Sequence, residues 1–157
     1  MTDELDLDQL LTRLQGEDFA MLAGVSAAAR RELLSSSKRR SLVAGEVLIR
    51  EGEPAGAMYF VVVGELGVAL GDVNAPPIAL IGPGETVGEL GVIDGSVASA
   101  FVVARTPCDL LSLDEAAFWA LTHHSHAFSI NLLVKLAERL RANNARLKAA
   151  EQAKAKP

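Results

Sequence analysis

The spacing of apolar residues along this 157-residue chain changes twice, and each change marks a new kind of element. Leu7, Leu10, Leu11 and Leu14 recur at the three-and-four spacing of one helix face, which predicts a short amphipathic helix. A second helix is expected over Ala27–Leu34, with Ser26 as its N-cap and the Ser35–Ser37 run ending it. From Lys38 to Asp114 short β-branched runs take over. Ser41–Val43, Val47–Arg50, Met58–Val63, Leu66–Leu70, Ile78–Ile81, Ala98–Ala104 and Leu110–Leu113 read as strands. Gly45, Gly52, Gly56, Gly64, Gly71, Gly82, Gly84 and Gly95 lie between them, where turns need positive φ. Pro76-Pro77 and Gly82-Pro83-Gly84 mark loops. Strands at this spacing predict a small barrel or jelly roll.

After Asp114 the helical period returns. Asp114 can cap a helix over Glu115–Leu121, and a longer helix is expected from about Ser125 to about Ala150. Leu133, Leu136, Leu140 and Leu147 form a coiled-coil-like seam on it, with Asn143 at one seam position. That seam predicts a two-fold homodimer. The chain thus divides into N-terminal helices at 1–36, a barrel at 37–114, C-terminal helices at 115–150 and a disordered tail at 151–157.

Composition narrows the function classes. Half of the residues are apolar, enough for one core without disulfide staples. The single cysteine, Cys108, excludes an internal disulfide framework and a CxxC metal site, and suits a reducing compartment. The formal net charge of -5 weighs against a nucleic-acid surface. Met1–Asp8 is acidic and lacks the apolar run of a secretory signal. The apolar stretches are shorter than the roughly 20 residues of a membrane-spanning helix. A soluble, cytoplasmic protein without membrane contact is expected.

Candidate chemistry concentrates in Val87–Val102, which reads Val-Gly-Glu-Leu-Gly-Val-Ile-Asp-Gly-Ser-Val-Ala-Ser-Ala-Phe-Val. A Gly-Glu pair here opens a turn between strands and lets backbone approach a ligand closely. Free N–H groups at such a turn can hold an oxyanion. Glu89 could accept a hydrogen bond from a ribose hydroxyl, and Ser99 could donate one to a phosphate. A glycine loop that only turns a barrel corner would use the same residues, and spacing alone favours that plainer role.

Other constellations are weaker. His123-His124-Ser125-His126 lies at a helix junction and lacks a Cys or carboxylate partner at ligand spacing, so no metal is expected. No Gly-x-Ser-x-Gly elbow is present, and Cys108 sits in an apolar strand as a small hydrophobe, so an enzyme is not expected. Arg30-Arg31 and Lys38-Arg39-Arg40 read as a solvated basic face next to Glu32.

Gly88-Glu89-Leu90-Gly91 followed by Ser99-Ala100 resembles the phosphate-binding cassette of the cyclic-nucleotide-binding domain family. Gly45–Glu53 and Met58–Leu66 are similar to its early barrel strands, and Cys108–Leu121 with the long helix is similar to its ending. The likeness covers roughly Leu22 to Ala145 and is nearest to the sensor half of the catabolite activator protein group. It implies a mainly β fold with flanking helices: an eight-stranded jelly-roll barrel plus a long C-terminal helix. It implies that Gly88, Glu89 and Leu90 line a cyclic phosphate and ribose, with Glu89 on the 2′-hydroxyl, and that Ser99 and Ala100 lie beside the phosphate. It places the long helix across the pocket as lid and dimer interface, with Asn143 and Asn144 where related activators contact the purine. An Asn amide can pair with adenine's donor–acceptor edge, and Asn143 can equally serve as a polar seam residue that sets register.

One departure bears on function. The family's cassette usually carries an arginine just before Ser-Ala, where it neutralises the cyclic phosphate; here that position is Ala98, preceded by Val97. Losing one partner of a buried charge pair costs about 3–5 kcal/mol, or about two to four decades of affinity. Arg105 lies seven residues on, at odd parity, so it should face the other way. Arg50 and Lys38-Arg39-Arg40 are no obvious substitutes. The related transcription factors carry a recognition helix after the long helix, and Glu151–Pro157 has no room for one, so direct DNA binding is not expected. Two readings follow. One is a regulatory module with weakened or altered binding of cAMP, cGMP or another small polar ligand, with no cofactor. The other is a dimerisation or protein-interaction domain with a degenerate pocket.

Overall fold

Ser26 and Asp114 start helices as their residue types dictate. The Ser26 hydroxyl accepts from the Ala29 N–H at 3.1 Å, and an Asp114 carboxylate oxygen accepts from the Ala117 N–H at 2.8 Å. The computed structural model describes residues 7–14 and 19–155. The first helix, α1, spans Leu7–Leu14; a 3-10 turn follows at Ala20–Leu22, then α2 at Ala27–Ser36. Arg30 ties these pieces together. Its guanidinium donates to the carbonyls of Leu14, of Leu22 at 2.6 Å and of Val25 at 3.1 Å.

Eight strands follow: β1 Lys38–Leu42, β2 Val47–Ile49, β3 Ala57–Val63, β4 Leu66–Ala69, β5 Ala79–Ile81, β6 Thr86–Val87, β7 Phe101–Ala104 and β8 Cys108–Asp114. They form two four-stranded antiparallel sheets, ordered β1-β8-β3-β6 and β2-β7-β4-β5. A short helix, α3 (Glu89–Asp94), interrupts the strands, and α4 (Glu115–His124) and α5 (His126–Lys154) close the chain.

The core has two parts, one on each face of the first sheet. Tyr59 and Val61 pack inside the barrel with Leu42, Leu66, Ala104 and Leu110. Met58, Phe60 and Val62 face the helices, among Leu113, Phe118, Phe128 and Leu132. The strand period of two sends alternate β3 residues into different clusters. Covered on both sides, β3 therefore reads as an unbroken apolar run. The Phe60 and Phe128 rings meet at 6.2 Å between centroids and pin the start of α5 to the sheet.

Several boundaries differ from those the sequence predicts. Strand β6 was not expected; it is only two residues long, too short for a period, and Phe60↔Thr86 and Tyr59↔Val87 pairing creates it. Strand β1 starts at Lys38, earlier than expected, because this edge strand commits only Leu42 to the core. The strand expected at Ala98–Ala104 begins at Phe101, and Ala98–Ala100 form an arched lead-in. Helix α5 runs to Lys154, beyond the expected end near Ala150, since Glu151, Gln152, Ala153 and Lys154 all favour helix. Leu136 packs against the helix-side core cluster and so leaves the expected seam. Burial of Leu132 and Leu136 turns Leu133, Leu140 and Leu147 to solvent, together with Ile130 and Val134. Asn143 and Asn144 are both exposed, and Asn144 stands at seven-residue spacing from Ile130 and Ala137. Among the described residues, no helix is long and apolar enough to cross a membrane.

Candidate functional site

The site is built around α3, which stands between two left-handed glycines. Gly88 has φ +85° and Gly95 φ +70°. A Cβ at Gly88 would lie 2.4 Å from the Ala57 carbonyl oxygen, so the close approach to β3 alone demands glycine there. At the other end the Ser96 hydroxyl and N–H donate to Asp94 Oδ1 at 2.5 and 2.9 Å. The hydroxyl first, then the N–H, holds the Asp94 carboxyl below its usual range.

Glu89, the first residue of α3, is 1% exposed. Its Oε2 receives no hydrogen bond. Its charge is met from α5: the Arg139 guanidinium pairs with Oε1 and also donates to the Thr86 carbonyl. One turn earlier, Lys135 Nζ lies 3.1 Å from Glu85 Oε1, while Glu85 Oε2 accepts from the Gly82 N–H at 2.7 Å. Burial pushes the Arg139 guanidinium below its ordinary value, and the Glu85 carboxylate offsets part of that. The Thr86 hydroxyl is also buried without a partner. A carboxylate oxygen, Glu89 Oε2, held out of water without a hydrogen bond creates a demand for a polar donor.

The other expected site residues fall in less enclosed places. Leu90 is 55% exposed, so its side chain faces solvent. Ala98 and Ala100 are half-buried, and Ser99 is exposed. The backbone of Ala98 is fastened to the Gly52–Glu53 turn: the Gly52 N–H donates to the Ala98 carbonyl at 2.8 Å, and the Ala98 N–H to the Glu53 carbonyl at 2.9 Å. Asn143 lies one helical turn past Arg139, and both Asn143 and Asn144 are exposed. The structure thus sets Gly88, Glu89 and Leu90 at the start of one short helix and Ala98–Ala100 on the following bend, and leaves the two asparagines on the exposed part of α5.

Three of the alternative cations, Arg105, Arg39 and Arg40, are engaged elsewhere. Arg105 is 3.8 Å from Glu65, Arg39 is 3.6 Å from Asp109, and Arg40 lies over the Tyr59 ring at 6.0 Å. Arg50 is exposed. Sequence reasoning missed Arg139 and Lys135, although a signal was present. Leu132, Lys135, Leu136 and Arg139 share one helix face, so two cations interrupt the buried side of α5 where an acidic surface must meet them.

The remaining polar groups have structural partners. His124 Nδ1 is 2.7 Å from Glu32 Oε1, and the His123 ring is 6.4 Å from that of Trp119. Among the described residues, no group of three His, Cys, Asp or Glu side chains gathers as a metal would require. Cys108 is buried, and burial pushes its thiol up.

Comparison with known proteins agrees with this architecture. The sequence model of the cyclic nucleotide-binding domain matches residues 39–125. A cyclic nucleotide-gated potassium channel of Mesorhizobium japonicum is 39% identical over 94 residues, covering 60% of this chain and 25% of the channel. Glutaminase 2 of Bradyrhizobium diazoefficiens is 33% identical over 132 residues, covering 82% of this chain and 21% of that protein. The chain therefore spans a quarter or less of these curated relatives. Among solved structures, the catabolite activator protein of Thermus thermophilus superposes with a TM-score of 0.74 at 28% identity, covering 84% of this chain and 63% of that one.

Proposed function

This chain belongs to the cyclic nucleotide-binding domain family, and we propose that it is a regulatory ligand-sensing module whose nucleotide binding is weakened or altered at Ala98. The observation that carries the reading is Glu89: a buried carboxylate at the start of α3 whose Oε1 is met by Arg139 and whose Oε2 has no hydrogen bond. A carboxylate kept there only for stability would be better replaced by an apolar residue. A ribose hydroxyl donating to it would supply what the protein does not. Ser99 and the backbone of the Ala98–Ala100 bend would lie beside the ligand's phosphate end, with no cation in the cassette to neutralise it.

The signal would pass through α5. The grip of this helix on the cassette consists of Arg139 on Glu89 and Lys135 on Glu85, and every residue from Leu140 to Ala155 is exposed. A ligand that competes for Glu89 shifts the helix only as far as its affinity differs between the held and released states. The stripe of Ile130, Leu133, Val134, Leu140 and Leu147 supports a second element of the reading, a homodimer through α5. Light scattering tests it: the wild type runs as a dimer and Leu140→Asp as a monomer, whereas a monomeric wild type removes the dimer.

Calorimetric titration with cAMP and cGMP, wild type beside Ala98→Arg, tests the sensor reading. The wild type is expected to bind at least about 100-fold more weakly than the variant, the lower end of the buried-pair cost because the bend is half-exposed. Equal micromolar binding by both would show that Ala98 does not matter. No binding by either would leave a protein-interaction domain with a degenerate pocket.

A further inference from the structure

The charge inventory of the cassette points away from a phosphate and toward a different ligand class. Val87–Val102 contains no Lys, Arg or His and two acids, Glu89 and Asp94. The two cations that α5 brings to this region are both committed: Arg139 to Glu89 and the Thr86 carbonyl, Lys135 to Glu85. Each pair is neutral as it stands. A cyclic phosphate would bring one more full negative charge beside a buried carboxylate, with no free cation from Val87–Val102 or from Lys135 and Arg139 to meet it.

What the site lacks is a set of neutral donors. Arg139 covers Glu89 Oε1, and Oε2 is buried without a hydrogen bond. A sugar hydroxyl donates without adding charge, so it can satisfy Oε2 while Arg139 keeps Oε1. The lead-in Ala98-Ser99-Ala100 offers small, uncharged side chains at the end where a phosphate would otherwise need neutralising.

We propose that this site takes an uncharged nucleoside in preference to a cyclic nucleotide, with a ribose hydroxyl donating to Glu89. This rests on the sensor reading above, because that reading supplies the nucleoside-like ligand class; the charge count removes only its phosphate. The selectivity resides in two positions: Ala98, which supplies no cation, and Arg139, whose charge is spent on Glu89.

The test is calorimetric titration of the full chain with adenosine, guanosine, 2′-deoxyadenosine, cAMP and cGMP. A nucleoside is expected to bind at least about tenfold more tightly than its cyclic monophosphate, which corresponds to about 1.4 kcal/mol. Removing the 2′-hydroxyl should cost at least about tenfold, and Glu89→Gln should weaken adenosine by a similar factor. A thermal melt shows whether that variant is folded, and the 2′-deoxyadenosine arm does not depend on it. Cyclic nucleotides binding as tightly as nucleosides, or more tightly, would overturn the inference and leave the sensor reading intact. So would a wild type that binds neither class while Ala98→Arg binds cAMP. No binding of any titrant by wild type or variant would remove both.

Discussion

The two ends of the cassette have been treated differently. At the α3 end, Gly88 is locked against Ala57, Glu89 is 1% exposed, and a helix-borne arginine covers it. At the other end, Ala98–Ala100 form a partly exposed bend fixed to the Gly52–Glu53 turn by backbone alone. Both ends belong to one short stretch of sequence with one likeness to the family. The contrast shows that one short motif keeps its shape by different means at its two ends: packing against β3 at one, backbone hydrogen bonds at the other. Gly88 is required by the fold itself, whereas the residue at 98 is held by its N–H and C=O, which any side chain other than proline's allows.

The largest effect should come from breaking the enclosed end. Arg139→Leu leaves Glu89 buried without its cation and should cost about 3–5 kcal/mol in urea unfolding. Adding Glu89→Met should restore most of that stability, since an apolar pair needs no compensation. Gly88→Ala comes next, at about 2–3 kcal/mol, from a left-handed backbone combined with the collision at Ala57. Gly95→Ala, with positive φ but open space around it, should cost only about 1–2 kcal/mol. Lys135→Met opens a partly exposed pair and should cost under about 1 kcal/mol, an effect that shrinks further in high salt.

Asp94 gives the smallest change, read by titration. Its folded pKa lies below its ordinary value of about 3.8, chiefly through the Ser96 hydroxyl. A lowered carboxyl pKa stabilises the fold fully above the unfolded value, and that contribution disappears as pH falls through the folded one. Ser96→Ala should therefore raise the Asp94 pKa and flatten the acid side of the stability profile below about 3.8, as NMR titration would show.

Much of the fold could be read from the sequence because its signals are local. Ser26 and Asp114 announce their helices by their own side chains, and β3 announces its double burial by an unbroken apolar run. Strand β6 could not be read, since two residues carry no period and its existence depends on β3 lying alongside. The candidate site divides in the same way. Gly88, Glu89 and Ala98 lie within one segment. Arg139 lies fifty residues from Glu89 in sequence, and only the packing of Leu132 and Leu136 aims it there. That same packing draws Leu136 out of the expected seam and leaves Leu133, Leu140 and Leu147 exposed.

The division between the two ends is tested most directly by titrating Ala98→Arg with cAMP and with adenosine, each beside the wild type. An arginine restored at the phosphate end should tighten cAMP by about 100-fold or more and leave adenosine within about threefold, since the sugar end is untouched. If cAMP fails to gain, or if both ligands shift together, the ends are not separable and the phosphate side was not what this cassette had lost.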